Sequence, residues 1–425
     1  MFDLEENRQK VQRALLVGIQ QTDITRQETE YLLDELAELT TNLDIPIVDC
    51  MIVKLRKPSP PFLVGKGKRE EIINLIQEKN IDVIIFDEEL TPAQQRNWER
   101  EAKICVIDRQ EVIIDIFSER AQTKEAVLQV ALARMEYSLP RLTRAWTHLS
   151  RQRGGMTGAR GQGETQLEAD RRMVNDRIAV VKRELKEVIQ HRQVQRAKRL
   201  RKPVPTVSIV GYTNAGKSSL LNKLTASEAL AEDKLFATLD PTTRRLDLDE
   251  SQHVLLTDTV GFVRRLPHRL VEAFKATLEE AVVADLLIHL IDISSSETSI
   301  HIKTTEAVLS EIGANENPSL IVFNKIDKLE TNETRERFEL LYPEAIFISA
   351  ETGGGLELLK SRISKSLNAR LCPTKLMIPH DRYDVISQLH ASGGIRHSKS
   401  EEDGVQIEGL FPPSLKGVIE PFLVG

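Results

Sequence analysis

Few cysteines and the absence of any long apolar run are the first features of this sequence, and each excludes a class of protein. The three cysteines, Cys50, Cys105 and Cys372, lie far apart and have no metal-binding spacing, which fits a reducing compartment rather than a disulfide-rich scaffold. No stretch reaches the roughly 18 consecutive apolar residues of a membrane-spanning helix. The start of the chain, MFDLEENRQK, lacks the apolar segment of a secretory signal. We therefore expect a cytoplasmic protein without a transmembrane segment.

The chain also lacks an excess of positive charge. Its net charge is −6 at pH 7, so nothing in the whole-chain composition favours nucleic acid, and a nucleic-acid site would have to be local. Charged residues make up 29% of the chain and hydrophobic residues 40%, which is typical of a globular protein. A length of 425 residues predicts about two to four domains.

Hydrophobic patterns divide the chain into four predicted parts. Residues 1–120 alternate strand and helix signals, which predict a small α/β domain with a mostly parallel sheet. Residues 121–202 carry two runs of helical spacing joined by a glycine-rich loop, which predict a helical hairpin. Residues 203–370 return to strand–helix alternation and predict a mostly parallel sheet with helices on both faces. Residues 371–425 predict a small α+β tail domain.

Finer patterns predict individual elements. In the first part they predict strands at 14–19, 45–55, 81–86 and 104–107 and helices at 25–39, 68–78 and 92–103. Thr91 and Pro92 are a good N-cap and first-turn pair for the last of these helices. Pro140 is expected to interrupt the first helix of the hairpin. In the tail the pattern predicts a helix at 384–391 and strands at 404–410 and 417–422.

The stretch that organises the chain is 207–219, VSIVGYTNAGKSS. A short apolar strand runs into Gly211, the spacing continues to Gly216-Lys217-Ser218, and an apolar helical pattern follows, as in a phosphate-binding P-loop. Glycines let backbone amides approach phosphate oxygens, and the helix N-terminus favours negative charge. We expect Lys217 to contact the β- and γ-phosphates and Ser218 to be a Mg²⁺ ligand.

Two further segments carry the features of switch loops. A strand at 254–257 leads into Asp258-Thr259-Val260-Gly261. The Asp is expected to hold the water shell of Mg²⁺, and the Gly261 N–H to meet the γ-phosphate. Upstream lies Phe236-Ala237-Thr238-Leu239-Asp240, a loop in which a threonine can complete Mg²⁺ coordination. Thr238 is the predicted ligand, with Thr242 and Thr243 as alternatives.

The next two motifs predict selectivity for guanine. A strand at 320–323 ends in Asn324-Lys325-Ile326-Asp327. The Asp327 carboxylate can accept hydrogen bonds from both N1–H and N2–H of guanine, which adenine does not offer. Asn324 is expected to tie the loops together, and the Lys325 stem to cover the base. A strand at 345–348 leads into Ser349-Ala350-Glu351, whose backbone is expected to cap the guanine O6.

Each short motif is weak alone, but five in this order, each at a strand end, predict one nucleotide site. Its predicted catalytic residues are Lys217, Thr238 and Gly261, and its metal ligands Ser218 and Thr238. The other predicted nucleotide contacts are Gly211, Tyr212, Thr213, Asn214, Ala215, Gly216, Phe236, Ala237, Leu239, Asp240, Asp258, Thr259, Val260, Asn324, Lys325, Ile326, Asp327, Ser349, Ala350 and Glu351.

The predicted hairpin carries local positive charge. Residues 137–163 contain five arginines and no acid, and residues 188–205 contain six basic residues and no acid. A tryptophan and a histidine lie in the first block. Such blocks beside a glycine-rich loop favour binding to a phosphate backbone, and the alternative is an ordinary solvated helix face. The arginines of the first block are Arg141, Arg144, Arg151, Arg153 and Arg160.

The ordered motifs GYTNAGKS, FATLD, DTVG, NKID and SAE resemble the GTPase domains of the translation-factor-related class. FATLDPTTRR is similar to the Obg–HflX superfamily, and the upstream GGMTGARGQGETQLEADRR resembles the HflX family in particular. The resemblance implies a Mg²⁺-dependent, GTP- and GDP-binding GTPase that binds the 50S ribosomal subunit. It also implies a role in protein synthesis, ribosome splitting and rescue, or ribosome biogenesis.

In such a protein the N-terminal domain and the hairpin, through Arg151, Arg153 and Arg160, would face ribosomal RNA. The chain is expected to act as a monomer. The alternative is a GTP-regulated switch whose hairpin recruits a protein partner. A protein-binding hairpin should carry apolar residues at its tip, and the Gly and Arg at this tip favour RNA.

One departure from Ras-like enzymes bears on mechanism. Phe262 follows the DTVG motif, where Ras-like enzymes place a glutamine that orients the attacking water. Because phenylalanine cannot hydrogen-bond to water, we expect slow intrinsic hydrolysis that the ribosome stimulates. Asn214 lies where related potassium-dependent GTPases carry an asparagine, so K⁺ is a second candidate cation.

Overall fold

The computed structural model describes residues 12–142, 162–199, 204–225, 235–236, 241–248, 252–265, 278–369, 372–391, 394–401, 403–411 and 415–424. These residues form two compact units, divided between Lys186 and Glu187. The glycine-rich loop up to Gly161, with Arg151, Arg153 and Arg160, lies outside the described residues, as do residues 237–240 with Thr238. The finer division of the chain into four parts stays a prediction.

The first unit contains a four-stranded parallel sheet of order β2-β1-β3-β4. Its strands are β1 (Ala14–Gln20), β2 (Ile47–Lys54), β3 (Val83–Phe86) and β4 (Cys105–Asp108). The central strands β1 and β3 are buried almost throughout, which is why they read as continuous apolar runs rather than as an alternating pattern. The predicted small α/β domain with a parallel sheet is confirmed.

Helices flank this sheet and begin at the caps that local chemistry favours. They are α1 (Arg26–Asn42), α2 (Lys66–Lys79), α3 (Pro92–Ala102), α4 (Arg109–Arg120) and α5 (Lys124–Ser138). The Thr91 hydroxyl and the Gln94 side chain form a reciprocal capping box at α3, so the predicted cap is confirmed. The sequence patterns did not predict helix α4, although Arg109, Gln110 and Glu111 separate its apolar residues from strand β4. Asp108, the last residue of β4, caps it.

The predicted hairpin contains α5 and a longer helix, α6 (Gln162–Arg199). The chain leaves α5 through a 3-10 turn, Leu139–Arg141, because the ring of Pro140 is incompatible with a continuing α-helix. Lys182 of α6 forms an ion pair of 2.7 Å with Glu136 of α5, and Val181 is buried. The two helices are therefore partners, as the spacing of their apolar residues predicts.

The second unit contains a six-stranded sheet of order β10-β9-β8-β5-β7-β6. Its strands are β5 (Thr206–Gly211), β6 (Thr242–Asp247), β7 (His253–Asp258), β8 (Leu286–Asp292), β9 (Ser319–Asn324) and β10 (Ile346–Phe347). All neighbours are parallel except the edge strand β6, which pairs antiparallel with β7. The predicted mostly parallel sheet is confirmed.

Helices cover both faces of this sheet. They are α7 (Lys217–Leu224), α8 (Thr298–Glu311), α9 (Glu333–Leu341) and α10 (Leu356–Asn368). Leucines and isoleucines of α7 and α10 pack on one face, and Ile302 of α8 and Phe338 of α9 pack on the other. The result is an α/β domain in which β5 is central, buried on both sides and able to place the loop that follows it.

The tail forms a three-stranded antiparallel sheet of order β11-β13-β12 with helices on one face. Its elements are β11 (Cys372–Ile378), α11 (Tyr383–Ala391), β12 (Ile395–Glu401), β13 (Gly404–Phe411) and α12 (Lys416–Ile419). The predicted strand at 417–422 is wrong, because this segment is α12 followed by a 3-10 turn, Glu420–Phe422. Leu415 and Ile419 are buried four residues apart on one helical face, and Pro421 cannot donate to a sheet.

Every helix in the described part of the chain is either too short or too polar to span a lipid bilayer.

A buried ion cluster lies at the carboxyl end of the first sheet. Arg109 contacts Glu35, and its Nη1 donates to Oδ1 of Asp87 at 2.7 Å. All three side chains are at most 5% exposed. Burying charges is costly unless they are paired with good geometry, so this cluster makes the packing of α1 and α4 on the sheet depend on one arginine.

We expect Arg109→Met to destabilise the first unit by about 3–5 kcal/mol, because it leaves two buried carboxylates without their arginine. Urea titration followed by hydrogen–deuterium exchange of peptides from the first sheet measures this loss. Arg26→Met is the matched control, since the Arg26–Glu30 pair has side-chain exposures of 77% and 49% and should change stability by no more than about 0.5 kcal/mol. Equal effects of the two variants would contradict the role of the cluster.

Candidate functional site

The loop between β5 and α7 has the backbone of a P-loop. Gly211 has φ 156° and Gly216 has φ 90°, a region that side chains disfavour. Neighbouring atoms exclude a side chain at either position, since a Cβ would collide with the Leu290 carbonyl oxygen at Gly211 and with the Asn324 amide nitrogen at Gly216. The glycines are therefore required by the packing of the loop against β8 and β9. The N-terminus of α7 follows directly.

Lys217 begins α7 and turns its ammonium back over the loop. Its Nζ donates to the carbonyl oxygens of Tyr212 at 2.8 Å and Gly211 at 3.3 Å. Burial lowers the pKa of Lys217 to about 8, while the nearby Asp258 carboxylate opposes this shift and Lys325 adds to it. A buried cation with a lowered pKa is stabilised by any anion that reaches it, and the neighbouring amides at the start of α7 favour the same charge.

Ser218 and Asp258 place two side-chain oxygen groups beside this cation. Asp258 is the last residue of β7 and is 1% exposed. The Ser218 hydroxyl donates to Oδ2 of Asp258 at 2.6 Å. A hydroxyl and a carboxylate oxygen, next to a phosphate-binding backbone, are the donors that Mg²⁺ takes together with phosphate and water, so the residues present fit that ion.

Asn324 joins three of the predicted motifs through its side-chain amide. Its Nδ2 donates to the carbonyl oxygen of Ala215 in the P-loop at 2.9 Å, and its Oδ1 accepts from the backbone N–H of Ala350 at 2.9 Å. Asn324 is the last residue of β9 and is 2% exposed. The tie between loops that the sequence predicts for Asn324 is therefore present.

The remaining residues of the two guanine motifs lie at the same edge of the sheet. Lys325 has φ 66°, and its Nζ forms an ion pair of 2.8 Å with Asp292. Asp327 and Glu351 are exposed, whereas Ser349 is buried. Asp292 was missed in the sequence, although it ends the apolar strand β8 at the same edge as Asp258 and Asn324, which is the signal that could have found it.

The segment after Asp258 packs directly on the P-loop. Phe262 N–H donates to the Gly211 carbonyl at 3.1 Å, and Thr213 N–H donates to the Phe262 carbonyl at 2.7 Å. The Phe262 side chain is 1% exposed, so it belongs to the core. A Cβ at Gly261 would lie 2.8 Å from Nζ of Lys217 and from Cα of Thr213.

The two alternative metal ligands, Thr242 and Thr243, are neighbours in the chain but have different surroundings. Thr242 and Thr243 begin the edge strand β6, where the Thr243 hydroxyl lies 2.9 Å from the Thr257 hydroxyl. Thr242 is exposed and pairs across the ladder with Asp258.

Comparison with known proteins identifies the family. Residues 30–118 match a family model described as "GTP-binding GTPase N-terminal", residues 120–199 match "GTP-binding GTPase Middle Region" and residues 206–325 match "50S ribosome-binding GTPase". The chain is 45% identical to "GTPase HflX" of Akkermansia muciniphila over 100% of its own length and 99% of the relative's. The chain belongs to the HflX family of GTPases.

Another relative and a solved structure are also similar to this chain. "GTPase HflX" of Escherichia coli (strain K12) is 43% identical and aligns over 88% of this chain and 87% of its own. A GTP-binding protein from Sulfolobus solfataricus, solved in complex with GDP, is 26% identical with a TM-score of 0.43, over 84% of this chain and 98% of its own. As an HflX-family member the chain is a GTPase, which converts GTP to GDP and phosphate, and its P-loop domain lies in the second unit.

Changing Lys217 and Ser218 separates the two functions that the geometry suggests. Lys217→Ala should lose most affinity for GTP and GDP, because it removes the buried charge over the loop. Ser218→Ala should lose mainly the Mg²⁺-dependent part of the affinity and of turnover, because it removes a metal ligand. Fluorescence titration with and without Mg²⁺ measures both.

Lys360→Ala serves as the control, since Lys360 lies on α10 and pairs with Glu357. If Ser218→Ala hydrolysed GTP at the wild-type rate, the metal role of this hydroxyl would be wrong.

Proposed function

We propose that this protein is a Mg²⁺-dependent, GTP-switched factor of the cytoplasm that binds the 50S ribosomal subunit. It acts in protein synthesis, in ribosome splitting and rescue or in ribosome biogenesis. The observation that carries this proposal is the match of residues 206–325 to the family model "50S ribosome-binding GTPase". In this chain that segment contains the P-loop, Lys217, Asp258 and Asn324 in the arrangement described above.

The roles of the phosphate-site residues follow from their positions. Lys217 and the amides at the start of α7 bind the β- and γ-phosphates. Ser218 holds Mg²⁺, which supplies charge neutralisation at the phosphates, and Asp258 orients its water shell. Thr238, outside the described residues, is the second ligand from the protein. Gly261 offers its N–H to the γ-phosphate.

Guanine is selected at the adjoining edge of the sheet. The exposed Asp327 carboxylate accepts from N1–H and N2–H of the base, and the Lys325 stem, held by Asp292, covers one face. Ala350, whose N–H is fixed by Asn324, belongs to the segment that caps O6. Adenine leaves the Asp327 carboxylate without a matched donor. An unmatched buried polar group discriminates between ligands more strongly than a difference in apolar contact does.

Hydrolysis without the ribosome is slow, because the residue after DTVG supplies no group that orients water. Phe262 is a core residue whose backbone pairs with Gly211 and Thr213. A water-orienting group must therefore come from a rearranged switch, from K⁺ near Asn214, or from the ribosome itself. Ribosome binding is the proposed stimulus.

Ribosomal RNA is the proposed partner of the N-terminal unit and the hairpin. The described part of α6 exposes Arg171, Arg172 and Arg177, and the chain from 137 to 163 carries five arginines and no acid. Arginines that neutralise backbone phosphates release counterions and give salt-dependent affinity. The protein acts as a monomer on the subunit.

The guanine assignment predicts a change of base preference in Asp327→Asn. The amide NH₂ opposes the N1–H and N2–H donors of guanine and matches the carbonyl that xanthine carries instead. Affinity should therefore shift from GTP toward xanthosine triphosphate, which fluorescence titration measures. Asp403→Asn, an exposed carboxylate of the tail, is the control. If Asp327→Asn bound GTP with wild-type affinity, the assignment of Asp327 to guanine recognition would be wrong.

The RNA assignment predicts that the hairpin loop anchors the protein to the ribosome. Replacing Arg151, Arg153 and Arg160 together by Gln should weaken pelleting with purified 50S subunits and flatten its dependence on salt. Affinity for free GTP should stay intact, because the P-loop is a separate site. Pelleting is measured at several salt concentrations with a non-hydrolysable GTP analogue.

A charge-matched control replaces Arg26, Arg335 and Arg382, which form exposed ion pairs with nearby acids. This control should pellet like the wild type. Equal pelleting of the hairpin variant and the wild type across the salt range would show that the hairpin is not the anchor and would favour a protein partner.

A further inference from the structure

Tyr212, the second residue of the P-loop, has a side chain that reaches away from the loop. Its ring stacks on His301 of α8 with centroids 3.9 Å apart and planes 14° apart. Its hydroxyl accepts a hydrogen bond from the backbone N–H of Arg264 at 2.8 Å. Tyr212 and His301 are 4% and 6% exposed. The phenol therefore links the P-loop, helix α8 and the segment that follows Gly261.

The His301 side of the stack carries no charge near neutral pH. Burial lowers the pKa of His301 to about 4, with Arg264 adding to the shift and Asp292 opposing it. Near neutral pH the imidazole is uncharged, so the contact is a stack of two flat rings. The stack orients the Tyr212 ring so that its hydroxyl accepts from the Arg264 N–H.

The chain from Gly261 to Arg264, here called the 261–264 segment, is held to the P-loop at three points. Two are the backbone hydrogen bonds of Phe262 with Gly211 and Thr213, and the third is the Tyr212 hydroxyl. The side chains of Phe262 and Val263 are each 1% exposed, and that of Arg264 is 7% exposed. The segment is packed as part of the core in this position.

The packing of the 261–264 segment on the P-loop occupies space next to Lys217 that a γ-phosphate would need. Gly261 lies so close to Lys217 that even a Cβ would be 2.8 Å from Nζ. A γ-phosphate that accepts from both Lys217 Nζ and Gly261 N–H needs space at this contact, and an outward shift of the 261–264 segment would provide it. GDP ends at the β-phosphate and makes no such demand, since its phosphates need only the loop amides, Lys217 and the start of α7.

We propose that Tyr212 is a positioning residue that sets the preference between GDP and GTP by holding the 261–264 segment against the P-loop. The inference rests on the nucleotide site described above. A ligand whose binding requires a minor conformation is weakened by the fraction of molecules in that conformation. Each contact that holds the segment inward therefore weakens GTP binding and leaves GDP binding largely untouched.

The test is Tyr212→Phe in the full-length protein, which keeps the stack on His301 and removes only the acceptor oxygen. Affinities for GDP and for a non-hydrolysable GTP analogue are measured in the same buffer. The ratio of the GDP Kd to the analogue Kd should rise roughly two- to tenfold, the range that loss of one neutral hydrogen bond permits. Tyr342→Phe is the matched control, because Tyr342 packs on Phe323 and Phe338 and takes no part in the contacts of the 261–264 segment described above, and its ratio should equal that of the wild type.

Hydrogen–deuterium exchange supplies a second measurement, and its wild-type part does not depend on any variant. In the wild type with GDP, peptides covering 258–265 should be protected, and the GTP analogue should remove part of that protection. With GDP bound, Tyr212→Phe should exchange faster in the same peptides, whereas Tyr342→Phe should not. Loss of the far-ultraviolet circular dichroism signal or of GDP binding would identify an unfolded variant. In that case the exchange of the wild-type protein tests whether the 261–264 segment moves.

Several outcomes would overturn the proposal. An unchanged Kd ratio in a Tyr212→Phe protein that binds both nucleotides would refute the role of Tyr212 alone. Equal protection of 258–265 with GDP and with the analogue in the wild type would show that the 261–264 segment does not move. A wild-type protein that bound neither nucleotide would refute the nucleotide site itself, and the role of Tyr212 with it.

Discussion

The side-chain amide of Asn324 is the interaction on which the site depends. It donates to Ala215 of the P-loop and accepts from Ala350 of the last motif, so one buried group sets the distance between the phosphate end and the base end of the site. Its nitrogen also explains Gly216, where a Cβ would collide with it. A buried amide that satisfies both its donor and its acceptor in this way is rigid and geometrically specific.

Most of the parallel sheets could be predicted from sequence, because strands buried on both faces are continuous apolar runs. The candidate site residues could be found for the same reason, because they lie at the carboxyl ends of those strands. Gly211 ends β5, Asp258 ends β7 and Asn324 ends β9. Two contacts between neighbouring loops, other than the Asn324 tie, were not predicted. The Lys325–Asp292 pair and the pairing of Phe262 with Gly211 depend on the relative height of neighbouring strands, which spacing along one chain does not encode.

The sequence-based predictions for an edge strand and for part of the tail failed for a different reason. Strand β12 has the sequence IRHSKSE and is exposed along most of its length, so no apolar alternation marks it as a strand. The tail segment 417–422 has strand-like residues, but Leu415 and Ile419 are buried at helical spacing, and packing against the core outweighs local propensity.

Both units place carboxylates at the ends of parallel strands, yet only one arrangement suits a ligand. In the first unit Asp87 and Asp108 follow β3 and β4. Asp87 pairs with buried Arg109, and Asp108 accepts from the Leu90 and Glu111 amides and from the Tyr137 hydroxyl. These bonds are internal and serve to pack helices on the sheet.

In the second unit Asp258 accepts from Ser218, beside a lysine whose lowered pKa and loop carbonyl partners leave it ready for an anion. The difference lies in the glycine-rich turn, since only a backbone without side chains at Gly211 and Gly216 can bring amides, cation and carboxylate to one point. The same closeness brings Gly261 onto Lys217. The loop that brings these groups close enough to bind phosphate also lies close enough to the 261–264 segment for that segment to pack on it.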